Sequence, residues 1–559
     1  MPTRQQMWGR IGEDVDLLVI GGGINGAGIA RDAARRGLRV ALVEQNDLAF
    51  GTSSRSSKLV HGGLRYLENL EFSLVFEAVS ERRVLLDIAP HLVNPLGFLF
   101  PVFNDSRQSL ATLRAGMWLY DGLSLFRSPK LHRTLSRSDV RTEEPLLRDK
   151  GLKGAPLYYD CATDDARLTL ESALDAARVG AIIATWTRCT GLLTTDAGRV
   201  CGATVQCALT GEEREIRATA VVNATGPWTD KTVAMGEALD DALLRPTKGV
   251  HIVVPADRLP VQHAVVCFHP DDGRVLFAIP WGDATYIGTT DTDWSGDPAV
   301  VAADALDVAY LIQASNAYFP GQNLCSDDVI CTWAGLRPLM RPVSDGAAAV
   351  DESAVSREHQ VLVGQNGLIT IAGGKLTTFR KMSAEVVDTA VKLIRLSGRL
   401  TASLAPAQTD REPLPGAVGW PADDDHERVA ARVADVAGGL LSPVTARLLT
   451  DTYGMRAMEL ANAVRSTPSL ATPLVPGRPE IEAQVVWAAT EELASAVSDV
   501  MIRRTQLFYR DVDQGLRAAD RVAEILAEHL GWSEGEAASS VAAYKERVAR
   551  SRSWKTSVS

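Results

Sequence analysis

The chain has 559 residues, 46% of them hydrophobic and 23% charged, and its 58 Lys and Arg against 69 Asp and Glu give a formal charge of -11. That length exceeds one ordinary domain and the apolar content supports large cores, so two or three globular domains are expected. The acidic balance excludes a nucleic-acid binder held by bulk charge, and the lack of a long unbroken apolar run excludes a membrane-spanning helix.

The opening residues, MPTRQQMWGRIGEDVD, lack the apolar core of a signal peptide. The seven cysteines form no C-x-x-C pair and no metal-ligand spacing with histidine, which points to reduced thiols in the cytoplasm. Any contact with a membrane is therefore expected at its surface.

Asp16 to Glu44, DLLVIGGGINGAGIARDAARRGLRVALVE, reads as strand, glycine turn, helix and second strand ending on an acid. Leu17 to Ile20 is an apolar run suited to a parallel strand covered on both faces. Gly21, Gly23 and Gly26 follow it at G-x-G-x-x-G spacing. They permit the turn, close approach of a pyrophosphate, and tight helix–strand packing in turn, and the helix amino terminus with Asn25 presents N–H donors to anionic oxygens. Glu44 falls where an acid accepts hydrogen bonds from an adenosine ribose.

The hydroxyl- and glycine-rich loop after Glu44 carries Thr52, Ser53, Ser57 and Lys58 as candidate cofactor contacts, with His61, Arg65 and Tyr66 just beyond. Residues 72 to 88 have the spacing of a core-facing helix. Residues 91 to 127 are rich in aromatic residues and interrupted by Arg107, Arg114 and Arg127; this pattern suits either helix packing or a bilayer interface. Asp164 or Asp165 caps a helix running to about Ala177, short strands follow, and a strand at Ala220 to Val222 ends in the turn Gly226-Pro227-Trp228.

From Leu243 to Arg341 the pattern changes to repeated strand and turn signals, which suit a mixed sheet bearing a substrate cavity, with Lys248, His251, Arg337 and Arg341 on or near it and Arg357 beyond. GLITIAGGKLTTFRKMSAE then reads as strand, turn and helix, so that Gly373, Gly374, Lys375, Leu376 and Thr377 form a further loop facing a flat cofactor. A Pro-, Ala- and Asp-rich passage near Ser403 to Asp425 looks like a linker, helical periodicity follows it, and the chain closes in a polar tail.

Taken jointly, GGGINGAGIARDAARRGLRVALVE, TSSRSSKLVHGGLRYLE, DDARL, NATGPW, GTTDTDW, GLRPL and GGKLTTFRK resemble the FAD-dependent, quinone-linked, aerobic-type glycerol-3-phosphate dehydrogenase family. The resemblance is strong over about residues 14 to 390, and TYG at Thr452 to Gly454 extends it into the helical region. It implies an α/β fold of the D-amino-acid-oxidase-like superfamily. A Rossmann-like FAD-binding domain (residues 12–90, 160–245 and 355–395) would interleave with a mixed-sheet substrate domain (91–159 and 246–354). A linker (396–425), a helical C-terminal domain (426–546) and a tail (547–559) would follow.

The activity implied is oxidation of sn-glycerol 3-phosphate to dihydroxyacetone phosphate, with hydride passing to non-covalent FAD and electrons to membrane quinone. On that resemblance Arg65, Tyr66, Arg337, Arg357 and Lys375 line the substrate phosphate pocket. Either His61 or His251 takes the hydroxyl proton, a role suited to imidazole. No metal is implied. The expected setting is the inner face of the cell membrane, reached through residues 91 to 127 or through the region of Arg503 and Arg504, and a homodimer is compatible with it. Two other readings compete: an oxygen-reducing glycerol-3-phosphate oxidase, whose mid-chain insertion is not seen here, and a non-catalytic membrane-docking flavoprotein.

Overall fold

A computed structural model of the chain describes residues 1–63, 71–124, 129–239, 241–341, 359–399 and 403–555. Two sheets organise it. In the first, the central strand Val15–Ile20 pairs in parallel with Val40–Val43 on one side and Glu213–Asn223 on the other. Ile182–Ala184 extends the sheet beyond Val40–Val43, and Ile369–Ala372 extends it beyond Glu213–Asn223. Leu17 to Val19 and Ala41 to Leu42 are fully buried, as a parallel sheet covered on both faces requires.

Helices Ile24–Arg35, Asp165–Arg178 and Phe379–Leu396 pack together on this sheet. Their small residues set the spacing. A Cβ on Gly26 would meet the Gly21 carbonyl oxygen at 1.8 Å, and one on Gly28 would meet Ser383 Oγ at 2.4 Å. Asp164 caps the second of these helices through Arg167 N–H.

The second sheet is mixed and larger. Its longest pairing joins Leu244–Pro255 to Cys331–Met340 in antiparallel register, from Leu244 opposite Met340 to Val253 opposite Cys331. Ala284–Gly288, Val275–Trp281 and Ala264–Phe268 continue it to Val93–Leu99 and Leu152–Thr163, and Leu59–Val60 closes the row. Leu152–Thr163 and the short strand before His61 thus belong to this sheet, so the two layers exchange chain at residues 58 to 63 and 163.

Three stretches fold otherwise than their composition suggests. Residues 91 to 127 are not one amphipathic element: among those described, Val93–Leu99 is an inner strand and only Leu110–Leu123 is helical, burying Leu113, Met117 and Tyr120 while Trp118 and Leu119 stay exposed. The passage read as a linker is bound in place. Arg31 donates to the carbonyls of Thr409 and Glu412, Gly416 N–H donates to Glu171, and Leu414 is fully buried. The polar tail is also structured up to residue 555, because Glu534–Ser551 is a continuous helix and Trp554 after it enters the core of the second sheet.

The helical C-terminal region is fastened to the first domain by buried ions. Asp47, Glu171, Glu492 and Asp499 face Arg167, Arg456, Arg503 and Arg504, four anions to four cations, all almost fully buried. Arg503 and Arg504 lie on a π-helical turn, Val500–Arg504, which turns both guanidiniums toward Asp47. They offer no exposed surface to a membrane. Among the described residues no helix is long and apolar enough to cross one.

Candidate active site

A cavity of about 580 Å³ opens over the carboxyl ends of the parallel strands, where ligands of open α/β sheets bind. Gly21, Gly23, Asn25, Glu44, Thr52, Ser53, Gly226, Gly373, Gly374, Lys375 and Leu376 all line it. Loops far apart in sequence thus converge on one trough, each at the end of a strand of the first sheet.

The glycines fit the trough to an adenine dinucleotide. Gly21 has φ +111°, and a Cβ there would meet the Ala224 carbonyl oxygen at 2.6 Å. Gly23 is the N-cap of Ile24–Arg35 without a side-chain cap, which leaves the helix amino terminus facing the trough. Ser53 Oγ accepts from Ile24 N–H at 2.9 Å, fixing the hydroxyl-rich loop against that terminus. Gly373 and Gly374 both take positive φ, bringing backbone rather than side chain to the far wall.

Glu44 accepts from Gly22 N–H at 2.7 Å and from Asn46 N–H at 2.9 Å. Burial raises its pKa to about 7 against those two donors. A ribose hydroxyl donates better to the ionised than to the protonated carboxyl. FAD affinity is therefore expected to hold above pH 7 and to fall by up to about tenfold per pH unit below it. Glu44→Gln should flatten this dependence, and a wild-type dissociation constant equal at pH 6 and pH 8 would remove Glu44 from the ribose.

Other candidates stand behind the trough rather than in it. Gly26 serves the helix–strand contact. Thr377 Oγ1 accepts from His61 N–H at 3.1 Å and donates to His61 O at 3.2 Å, which ties the two loops together. Lys58 does not face a cofactor phosphate: it is buried, with its ammonium on Asp165 at 2.7 Å. Such a desolvated cation needs a fixed partner, and nothing in local sequence marks a carboxylate so distant in the chain.

The second sheet supplies a floor. Along Leu244–Pro255 and Cys331–Met340, residues two apart share a face, and register sets Thr247 opposite Arg337, Gly249 opposite Gly335 and His251 opposite Trp333. The two glycines let other groups pack directly on the strands, since a Cβ on Gly249 would strike Arg337 Nη2 at 2.6 Å and one on Gly335 the Arg55 carbonyl at 2.6 Å. His251 stacks on Trp333 at 4.6 Å and 12°, with Nε2 2.9 Å from Ser57 Oγ. Burial, helped by the charges of Arg337 and Lys58, drives its pKa far below the usual imidazole range, so the ring is neutral.

Arg337 is half-buried at the other end, bonded to Asp291 Oδ1 at 2.8 Å and to the Thr290 carbonyl at 3.2 Å. His61 is half-buried beside the 376–378 turn. Arg65, Tyr66 and Arg357 lie outside the described residues. Trp228 of NATGPW and Pro338 of GLRPL also line the trough, as do Phe50, Lys231, Arg547 and Arg550, which have no motif to announce them. The i, i+3 spacing of Arg547 and Arg550 is the one local signal that would have put them on a shared helical face.

Comparison with known proteins agrees with this geometry. Residues 16–380 match the family described as FAD dependent oxidoreductase, and 407–537 match the C-terminal domain of alpha-glycerophosphate oxidase. Glycerol-3-phosphate dehydrogenase 2 of Mycobacterium bovis is 41% identical over 98% of this chain and 90% of its own length. The aerobic glycerol-3-phosphate dehydrogenase of Staphylococcus haemolyticus is 37% identical over 94% and 92%. The crystal structure of glycerol-3-phosphate dehydrogenase from Bacillus halodurans, complexed with FAD, superposes with a TM-score of 0.80 at 30% identity, covering 99% of this chain and 98% of that one. The chain belongs to the FAD-dependent glycerol-3-phosphate dehydrogenase family, within the FAD-dependent oxidoreductases.

Proposed function

We propose that the chain oxidises sn-glycerol 3-phosphate to dihydroxyacetone phosphate, with FAD held non-covalently in the trough and electrons leaving to membrane quinone. The observation that carries this reading is the register that sets a neutral imidazole, His251, and a guanidinium, Arg337, along one pair of strands whose Pro338 lines a trough shaped for a dinucleotide. Bound FAD supplies a two-electron hydride acceptor. The protein's own residues supply orientation and proton transfer.

In this reading Arg337 and Lys375 bind the phosphate, a match of planar fork and point charge to a dianion. Asp291 holds the guanidinium in position before substrate arrives. His61 takes the C2 hydroxyl proton. Protonating His251 instead would place a further positive charge in a buried site already facing Arg337 and Lys58, so His251 serves as the neutral partner that orients Ser57.

Anaerobic addition of glycerol 3-phosphate should bleach the yellow enzyme, and acid precipitation should release all its colour to the supernatant. Arg337→Ala should raise KM by roughly 10- to 150-fold, the equivalent of about 1.5–3 kcal/mol for a charge-assisted contact. Absence of bleaching at millimolar substrate would overturn the activity, and an unchanged KM would remove Arg337 from the phosphate.

The quinone acceptor calls for a membrane-facing patch. Phe72 and Phe76 on the helix Phe72–Ile88 and Trp118 and Leu119 on Leu110–Leu123 are large apolar side chains left exposed on two helices in contact. The pair Phe76→Glu and Trp118→Glu should lose flotation with liposomes and most turnover with quinone while keeping turnover with a soluble dye. Flotation equal to wild type would discard this face, and turnover faster with oxygen than with quinone would favour the oxidase reading.

A further inference from the structure

Beside the trough lies a second, smaller chamber, which shares Arg547 and Arg550 with it. It holds about 60 Å³ between the loop at Ser54 and Arg55, the strand at Thr332 to Ala334, and the last long helix at Arg547, Arg550 and Ser551. One water needs about 10–15 Å³ on this kind of measure, so the space suits one tetrahedral oxyanion.

Its charge is unbalanced. Arg55, Arg503 and Arg547 gather around the single ring of Phe50, with guanidinium carbons 5.4, 6.0 and 4.8 Å from its centroid. Arg503 is neutralised by Asp47 and Asp499, and Arg550 by Glu546 at 2.9 Å. The guanidinium groups of Arg55 and Arg547 have no hydrogen bond or ion pair among the described residues, although the structure otherwise commits its buried cations to carboxylates. Burial and the neighbouring guanidiniums lower the pKa of both, that of Arg547 to about 9.

We propose that this chamber is a binding site for a phosphomonoester dianion, held between Arg55 and Arg547 with Arg550 at the rim. Two uncompensated guanidiniums call for two negative charges, which a phosphomonoester carries at pH 7 and a carboxylate does not. Trp333, Ile502, Phe508 and Tyr509 wall the chamber and keep the local dielectric low, which strengthens the contact. The site adjoins the reaction centre without belonging to it. Trp333 separates the chamber from His251, and Arg55 lies two residues before Ser57, the partner of His251. An occupant is thus placed to act as an effector of that pair.

The test is calorimetric titration of FAD-loaded enzyme with inorganic phosphate and with glycerol 2-phosphate, in the Arg337→Ala background so that the proposed substrate site does not compete. One anion per chain should bind, and adding Arg547→Gln or, separately, Arg55→Gln should weaken it at least tenfold. In phosphate-free buffer neither added substitution should lower the melting temperature, because each relieves repulsion between guanidiniums. Phosphate should raise the melting point only of the parent. Titrations unaltered by both variants would overturn the site. So would loss of FAD with phosphate binding unchanged, since the arginines would then serve the cofactor, and so would a chamber that takes inorganic phosphate but excludes glycerol 2-phosphate. If Arg337→Ala alone leaves phosphate binding as in wild type, the substrate role of Arg337 fails while this site is still decided by Arg547→Gln.

Discussion

Arg504→Ala is expected to destabilise the junction between the first domain and the C-terminal helices by about 3 kcal/mol, the lower end of the cost of breaking a buried ion pair, because Asp47 keeps Arg503 as its other partner. Arg504 donates both Nη groups to Asp47 and one of them also to the Glu492 carbonyl at 2.7 Å. Its removal leaves the eight-ion network one positive charge short in a site almost closed to solvent. The melting temperature should fall by about 3 °C. An unchanged melting temperature would show that the network is solvated rather than closed.

The same change should reach the cofactor. Asp47 lies between Glu44 and Phe50, so the residues that line the trough hang from the carboxylate that Arg503 and Arg504 hold. FAD should dissociate more readily from Arg504→Ala at temperatures where the fold persists. The double variant Asp47→Leu with Arg504→Leu separates charge from packing: a buried pair replaced by apolar residues of similar volume is often neutral or stabilising. Recovery of most of the lost melting temperature is the expected result, and a double variant as weak as the single one would assign the loss to packing.

Local chemistry explains which parts of this molecule were legible in its sequence. Val15–Ile20, the glycine turn and Val40–Val43 were readable because a parallel strand is a continuous apolar run and because only glycine satisfies the contacts at Gly21 and Gly26. The strand and turn pattern from Leu243 to Arg341 was readable for the same reason, and the family resemblance supplied the interleaving that periodicity does not encode. Long-range pairing was not readable. Lys58 looked like a phosphate ligand until Asp165 claimed it, and Arg503 and Arg504 looked like a surface patch until Asp47 did. Arg547 and Arg550 were taken into a polar tail because a helix that lends charges to a distant cavity has the composition of a solvated one. His251 is nominated by residue type and by the family resemblance. Its stacking on Trp333 and its contact with Ser57 follow from sheet register, which leaves no local trace.

His61→Asn is expected to lower kcat by roughly 10²–10⁴-fold, the usual worth of a positioned proton acceptor, and to remove the acidic limb of the kcat/KM profile. The contrast with His251 follows from where each ring stands. His251 is buried, neutral far below pH 7, and stacked between Trp333 and the Ser57 hydroxyl, so a proton gained there would be expelled by Arg337 and Lys58. His61 is half-buried at the junction of the two sheets, with its backbone N–H and carbonyl both held by Thr377 of the loop that carries Gly373 and Lys375. Its ring therefore moves with the trough wall. His251→Asn should keep the acidic limb and lose less in kcat, because asparagine retains a polar contact to Ser57. The two profiles decide the assignment: an acidic limb that survives in His61→Asn and vanishes in His251→Asn reverses the roles, and a limb that survives in both removes either imidazole as the acceptor.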